Sequence, residues 1–147
     1  MVNREPAGGA LDPACSGVYL APDDTDALRA AAGSARLKWF DLNLARVETK
    51  QEFLAACKKV LRLPRFFGGN WDALADCLKD LCADSVISCR NCGKFAGAAP
   101  DDYATALEVL QDAAGYWKER GATFLALVEV EPAGAVLARF ANPQSGT

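Results

Sequence analysis

The stretch Leu63-Pro64-Arg65-Phe66-Phe67-Gly68-Gly69-Asn70-Trp71-Asp72-Ala73-Leu74-Ala75-Asp76-Cys77-Leu78 decides how this chain of 147 residues is read. Its first half reads as a loop. Pro64 lacks a backbone N–H and ends the helix that precedes it. Two adjacent glycines allow backbone angles that other residues avoid. Phe66 and Phe67 beside them are not easily both buried on so tight a loop. The second half reads as a helix. Asn70 is a strong N-cap. At about 100° per residue, Trp71–Leu81 divides into two faces. Leu74, Leu78 and Leu81, with Cys77 beside them, form an apolar side predicted to be core. Asp72, Asp76 and Asp80 lie nearly opposite.

That acidic side has a cost. Asp72 suits the positive N-terminal end of the helix dipole. Asp76 and Asp80 do not, and like charges four residues apart cost about 0.2–0.5 kcal/mol per pair. Charge alone favours a solvated face with no further role. The aromatic residues just before it favour an anchor for a partner.

Working outward, Leu37–Leu42 reads as a strand. Thr49-x-x-Glu52 is a capping box, and Phe53, Cys57, Val60 and Leu61 follow it at helical spacing up to Pro64. Val86–Cys89 reads as a second strand. Asp101 or Asp102 is expected to cap a helix whose stripe is Tyr103, Leu107, Leu110, Ala114 and Trp117, with Gly121 as its C-cap. Thr123–Val130 is nearly all apolar, as in a strand covered on both faces. Upstream, Gly17–Ala21 suggests a short strand. Asp23–Ala32 suggests a short helix capped by Asp23 or Asp24 and stopped by Gly33. The order strand, helix, helix, strand, helix, strand predicts an α/β domain with a parallel sheet and right-handed crossovers. Met1–Ser16 is expected to be loosely attached. Past Pro132 the chain is rich in Ala and Gly, with at most one helical turn before it frays at Asn142–Thr147.

Composition narrows the function. The chain is 51% apolar, with 16 basic against 19 acidic residues and a net charge of −3. This argues against a general nucleic-acid binder, which needs clustered cations, and favours a basic partner. Histidine is absent. Ser-His-Asp and Cys-His nucleophiles and His-based zinc sites are therefore excluded. Met1–Cys15 shows no apolar secretion core, and Phe124–Val128 is too short to span a bilayer. Cys15, Cys57, Cys77, Cys82, Cys89 and Cys92 are read as reduced thiols of a cytoplasmic protein. Cys89-x-x-Cys92 would need two further thiols, from Cys77 or Cys82, to hold zinc, and is read as structural. Lys58, Lys59, Arg62 and Arg65 suit the C-terminal end of their helix.

The Leu-Pro, paired aromatics, Gly-x-Asn and Asp-Ala-Leu-x-Asp-Cys-Leu pattern resembles the barstar family of intracellular ribonuclease inhibitors. The likeness covers about Leu37–Val130. It implies a three-stranded parallel sheet packed against helices over 37–130. Segment 17–36 is then an added short strand and helix, 1–16 a flexible lead and 131–147 a tail. Members of the family plug the active site of a barnase-like ribonuclease with the second helix and the loop before it. Residue by residue, the resemblance makes Asp76 the central plug and Asp72 a second one. Phe66 stands where the family has a tyrosine, and Phe67, Gly68 and Asn70 match the rest of the loop. Ala75 and Leu81 stand where the member that names the family carries tryptophans. Asp80 completes the patch, and Asp112 or Glu119 would answer to a glutamate on the third helix. The implied partner is a basic toxin or extracellular-type ribonuclease. No nucleic acid, membrane, cofactor, metal or catalytic residue is expected, and the free chain is expected to be monomeric. The alternative is an interaction or adaptor domain of the same fold with a non-nuclease partner. A third class, an enzyme using Asp72 and Asp76 as an acid–base pair, lacks a glycine-rich phosphate loop and histidine.

Overall fold

The computed structural model describes residues 11–65 and 67–141. Strand β1 (Gly17–Leu20) leads to helix α1 (Thr25–Ser34), then to β2 (Lys38–Asn43) and α2 (Lys50–Val60). Helix α3 (Trp71–Leu81), β3 (Ser85–Arg90), α4 (Gly93–Ala98), α5 (Pro100–Glu119) and β4 (Phe124–Val128) follow.

Local chemistry sets the helix starts. The Asp24 carboxylate accepts from the Ala27 N–H at 3.0 Å and begins α1. Both halves of the capping box form at α2: Thr49 Oγ1 accepts from Glu52 N–H, and Glu52 Oε1 accepts from Thr49 N–H. Helix α5 differs from expectation. Pro100 opens it, Ala99 is its N-cap without a side-chain bond, and Asp101 and Asp102 lie inside the first turn. Proline at the first position loses nothing, since its missing N–H would be unpaired there.

Two helix ends differ as well. Gly33 lies within α1, and Arg36, with φ of 63°, supplies the left-handed residue after it. Helix α2 stops at Val60, short of Pro64, because Arg62 takes φ of 56°. The reversal is closed in both cases by a long backbone bond, Leu37 N–H to Ala32 O at 2.9 Å and Leu63 N–H to Lys58 O at 3.0 Å. These are the six-to-one bonds of a Schellman ending. Helix α5 ends the same way with a glycine, Gly121 at φ of 77°.

The sheet has four parallel strands in the order β1-β4-β3-β2, where three were expected. The added strand is part of the sheet: Gly17 to Leu20 pair in register with Leu125 to Val128. The reason lies in β4, where all five residues are buried. Without β1 its backbone would form an unpaired edge.

Each face has its own core. On one face Leu42, Ile87, Phe124 and Ala126 meet Phe53, Leu54, Leu74, Leu78 and Leu110 from the helices α2, α3 and α5. Helix α4, which the sequence reading lacked, adds Phe95, stacked on Phe53 with centroids 5.2 Å apart. On the other face Val86, Leu125 and Leu127 meet Leu28 and Ala32 of α1, together with Cys15 and Phe140. The flanking segments are thus held down. Asp12 caps a single 3-10 turn at Pro13–Cys15. Leu20 N–H donates to Ala138 O, and Phe140 N–H to Leu20 O, both at 2.8 Å. Residues 131–141 contain a turn and no helix. Met1–Ala10 and the expected fraying at Asn142–Thr147 lie outside the described residues.

Candidate functional site

Helix α3 spans Trp71–Leu81, as its sequence pattern predicts. Asn70 Oδ1 accepts from Ala73 N–H at 2.8 Å and closes the first turn. Gly69 sits at φ of 67°, where a side chain would be strained. Gly68 keeps ordinary backbone angles, and a methyl there would meet Asn70 Nδ2 only at 3.4 Å. Phe67 is half-buried against the larger core, and its N–H donates to Pro64 O at 2.8 Å. Pro64 therefore shapes the loop instead of stopping the helix. Phe66 lies outside the described residues.

The inner face of α3 is fixed by Leu74 and Leu78, exposed 1% and 0%. Leu81 departs from the expected core side, being 43% exposed. The chain turns toward β3 at Cys82, and that buried thiol fills the core at the helix end in its place. Ala75 and Cys77 are half-buried.

Two contacts that the sequence reading did not find lock α3 to α5. Trp117 Nε1–H donates to Leu78 O at 2.9 Å. The Leu78 carbonyl already accepts from the Cys82 N–H at 3.2 Å, so the indole adds a second donor, from α5, to its other lone pair. Lys79 Nζ pairs with Asp112 Oδ2 at 2.7 Å. The helical stripe of α5 placed Trp117 inward, but nothing in one sequence names the carbonyl it reaches. Of the two proposed equivalents of the family's third-helix glutamate, Asp112 thus borders α3. Glu119, at the last residue of α5, lies 4.0 Å from Arg120.

Asp72, Asp76 and Asp80 are all exposed. Among the described residues none of them enters an ion pair. Lys79, the only cation on α3, is turned away to Asp112. Burial first, then the Asp80 and Asp76 carboxylates, raise the Cys77 thiol above its ordinary pKa.

Cys89 and Cys92 are both buried. Cys92 Sγ accepts from Tyr103 OH at 3.4 Å and from Glu129 N–H at 3.3 Å. Tyr103 OH also lies 2.6 Å from Val130 O. The thiol and the phenol thus tie the end of β4 to α5. Among the described residues, no group of three or more Cys, Asp and Glu is placed to hold a metal ion.

The family model described as barstar (barnase inhibitor) matches residues 37–129. The chain belongs to the barstar family. Members of this family are inhibitors rather than enzymes. The barstar segment contains α3 and the loop before it, while β1 and α1 precede it. No curated protein matches the chain. No helix among the described residues is long and apolar enough to cross a membrane.

Proposed function

We infer that this barstar-family chain inhibits a ribonuclease, laying α3 and the preceding loop over a cationic active site. One observation carries the reading. Asp72, Asp76 and Asp80 are exposed on one helix and, among the described residues, free of ion pairs. The helix itself is capped by Asn70, packed through Leu74 and Leu78 and tethered by Trp117. Carboxylates that are unpaired yet held rigid lose little freedom on binding. A site that binds phosphate offers them the complementary charge. Phe67, Gly68 and Asn70 border the start of the patch, and Ala75 and the exposed Leu81 add apolar surface.

Asp76 is proposed as the centre of the patch. Co-expression with a candidate toxin ribonuclease should rescue growth with the wild type and fail with Asp76→Ala. The expected loss is at least about 2 kcal/mol of binding, the usual threshold for a hot spot, for which barnase–barstar is itself a standard case. Equal protection by the alanine variant would remove Asp76 from the site. The alternative, an adaptor for a non-nuclease partner, predicts capture of that partner and inhibition of no ribonuclease.

A further inference from the structure

The sheet face covered by α1, opposite α3, carries a cleft of about 350 Å³ at the carboxyl ends of the strands. This is where parallel α/β sheets bind small molecules, at the point where crossovers leave in opposite directions. Here β1 crosses to β2 through α1 on one face, and β2 and β3 return through the remaining helices on the other.

Ser88 on β3 lines the cleft and is only 3% exposed. Among the described residues its hydroxyl has no hydrogen-bond partner. The buried hydroxyls of Ser16 and Ser85 both donate to backbone carbonyls. A buried polar group left unpaired costs about 1–3 kcal/mol. A polar guest in the cleft would satisfy it.

The charges around Ser88 select the guest. Arg90 spends its Nε–H on Asp41 at 2.6 Å, and among the described residues its terminal N–H groups are unbonded. The Arg29 guanidinium lies 5.6 Å from the Trp39 ring centroid and, among the described residues, enters no ion pair. Two guanidiniums suit a carboxylate. The cleft also holds Asp26, in the first turn of α1, and Glu129, whose Oε1 accepts from Asn91 N–H at 2.7 Å. A simple anion would be repelled by these carboxylates, and a simple cation by the arginines.

We propose that this cleft binds a small zwitterion of the amino-acid class. Its carboxylate sits between Arg29 and Arg90 and accepts from Ser88. Its ammonium group faces Asp26 and Glu129. The site is independent of the ribonuclease reading.

The test uses the full chain with glycine, L-serine and L-glutamate as probes, followed by ligand-observed NMR and thermal melting. Acetate and methylamine each supply one charge alone. At least one zwitterion should bind saturably. Acetate and methylamine should bind at least about tenfold more weakly, as should the best zwitterion to Arg29→Gln or Ser88→Ala, the scale of one lost charge-assisted contact. The melting temperature of free Ser88→Ala should not fall, because the hydroxyl it removes was unpaired. The proposal is overturned if no probe binds, if acetate matches the zwitterions, or if both variants bind like the wild type. A lower melting temperature for free Ser88→Ala would also overturn it.

Discussion

At the scale of the residue, the thiols and phenols of the core make stability depend on pH. Burial is the largest cause of the raised pKa values of Cys57, Cys82, Cys89 and Tyr103. In the unfolded chain a thiol ionises near its ordinary value of 9.0, whereas folded Cys82 is pushed up to about 11. The unfolded state therefore loses its protons first as pH rises. The contribution of these groups to stability is complete below about pH 9 and is lost as pH climbs through the folded values. Urea midpoints should hold steady up to about pH 8 and fall at higher pH. A midpoint independent of pH over the alkaline range would contradict the burial of these groups. Residue-level readings also show where local chemistry is legible. Asn70 and Thr49 cap as their types predict, because a cap involves only the next three residues. Arg36 and Arg62 were not legible as left-handed residues, because arginine has no intrinsic preference for that region.

At the scale of the element, α3 combines an inner face packed in the core with an exposed acidic outer face. Trp117 tests how far its rigidity depends on α5. Trp117→Phe keeps most of the packing and removes the bond to Leu78 O. It should cost about 1 kcal/mol in denaturant unfolding, the net worth of one hydrogen bond, because Leu78 O keeps the Cys82 N–H as a donor. Asp76 and its neighbours are untouched, so inhibition should weaken only slightly. A loss as large as that of Asp76→Ala would place Trp117 at the interface itself. The bounds of α3 were legible because Asn70 and the spacing of Leu74 and Leu78 agree. The exposure of Leu81 was not, since a helical wheel treats the helix as if its packing partners ran its full length. The fate of the last turn depends on where Cys82 and β3 take the chain.

At the scale of the whole molecule, the segments outside the barstar match complete the domain. Cys15, Leu28, Ala32 and Phe140 cover a sheet face that residues 37–129 alone would leave open at Val86, Leu125 and Leu127. In the full chain Phe140→Ala should cost about 3–5 kcal/mol, the range for a buried aromatic residue, read from urea unfolding. A chain cut to residues 37–129 should lose its cooperative transition and bind hydrophobic dye. If the cut chain unfolds as sharply as the full one, the second core is dispensable.

The sequence by itself determined the class of fold, the bounds of α3, the caps at Thr49 and Asn70, and the acidic stripe. Each of these rests on periodicity or on groups a few residues apart. Only the tertiary structure decided that β1 joins the sheet beside β4, that Phe140 returns to a core more than a hundred residues from Cys15, and that Ser88 ends buried beneath a charged cleft. Those facts depend on pairing and burial between distant segments. The covering of β4 on both edges and both faces sets them, and no local pattern in the chain records it.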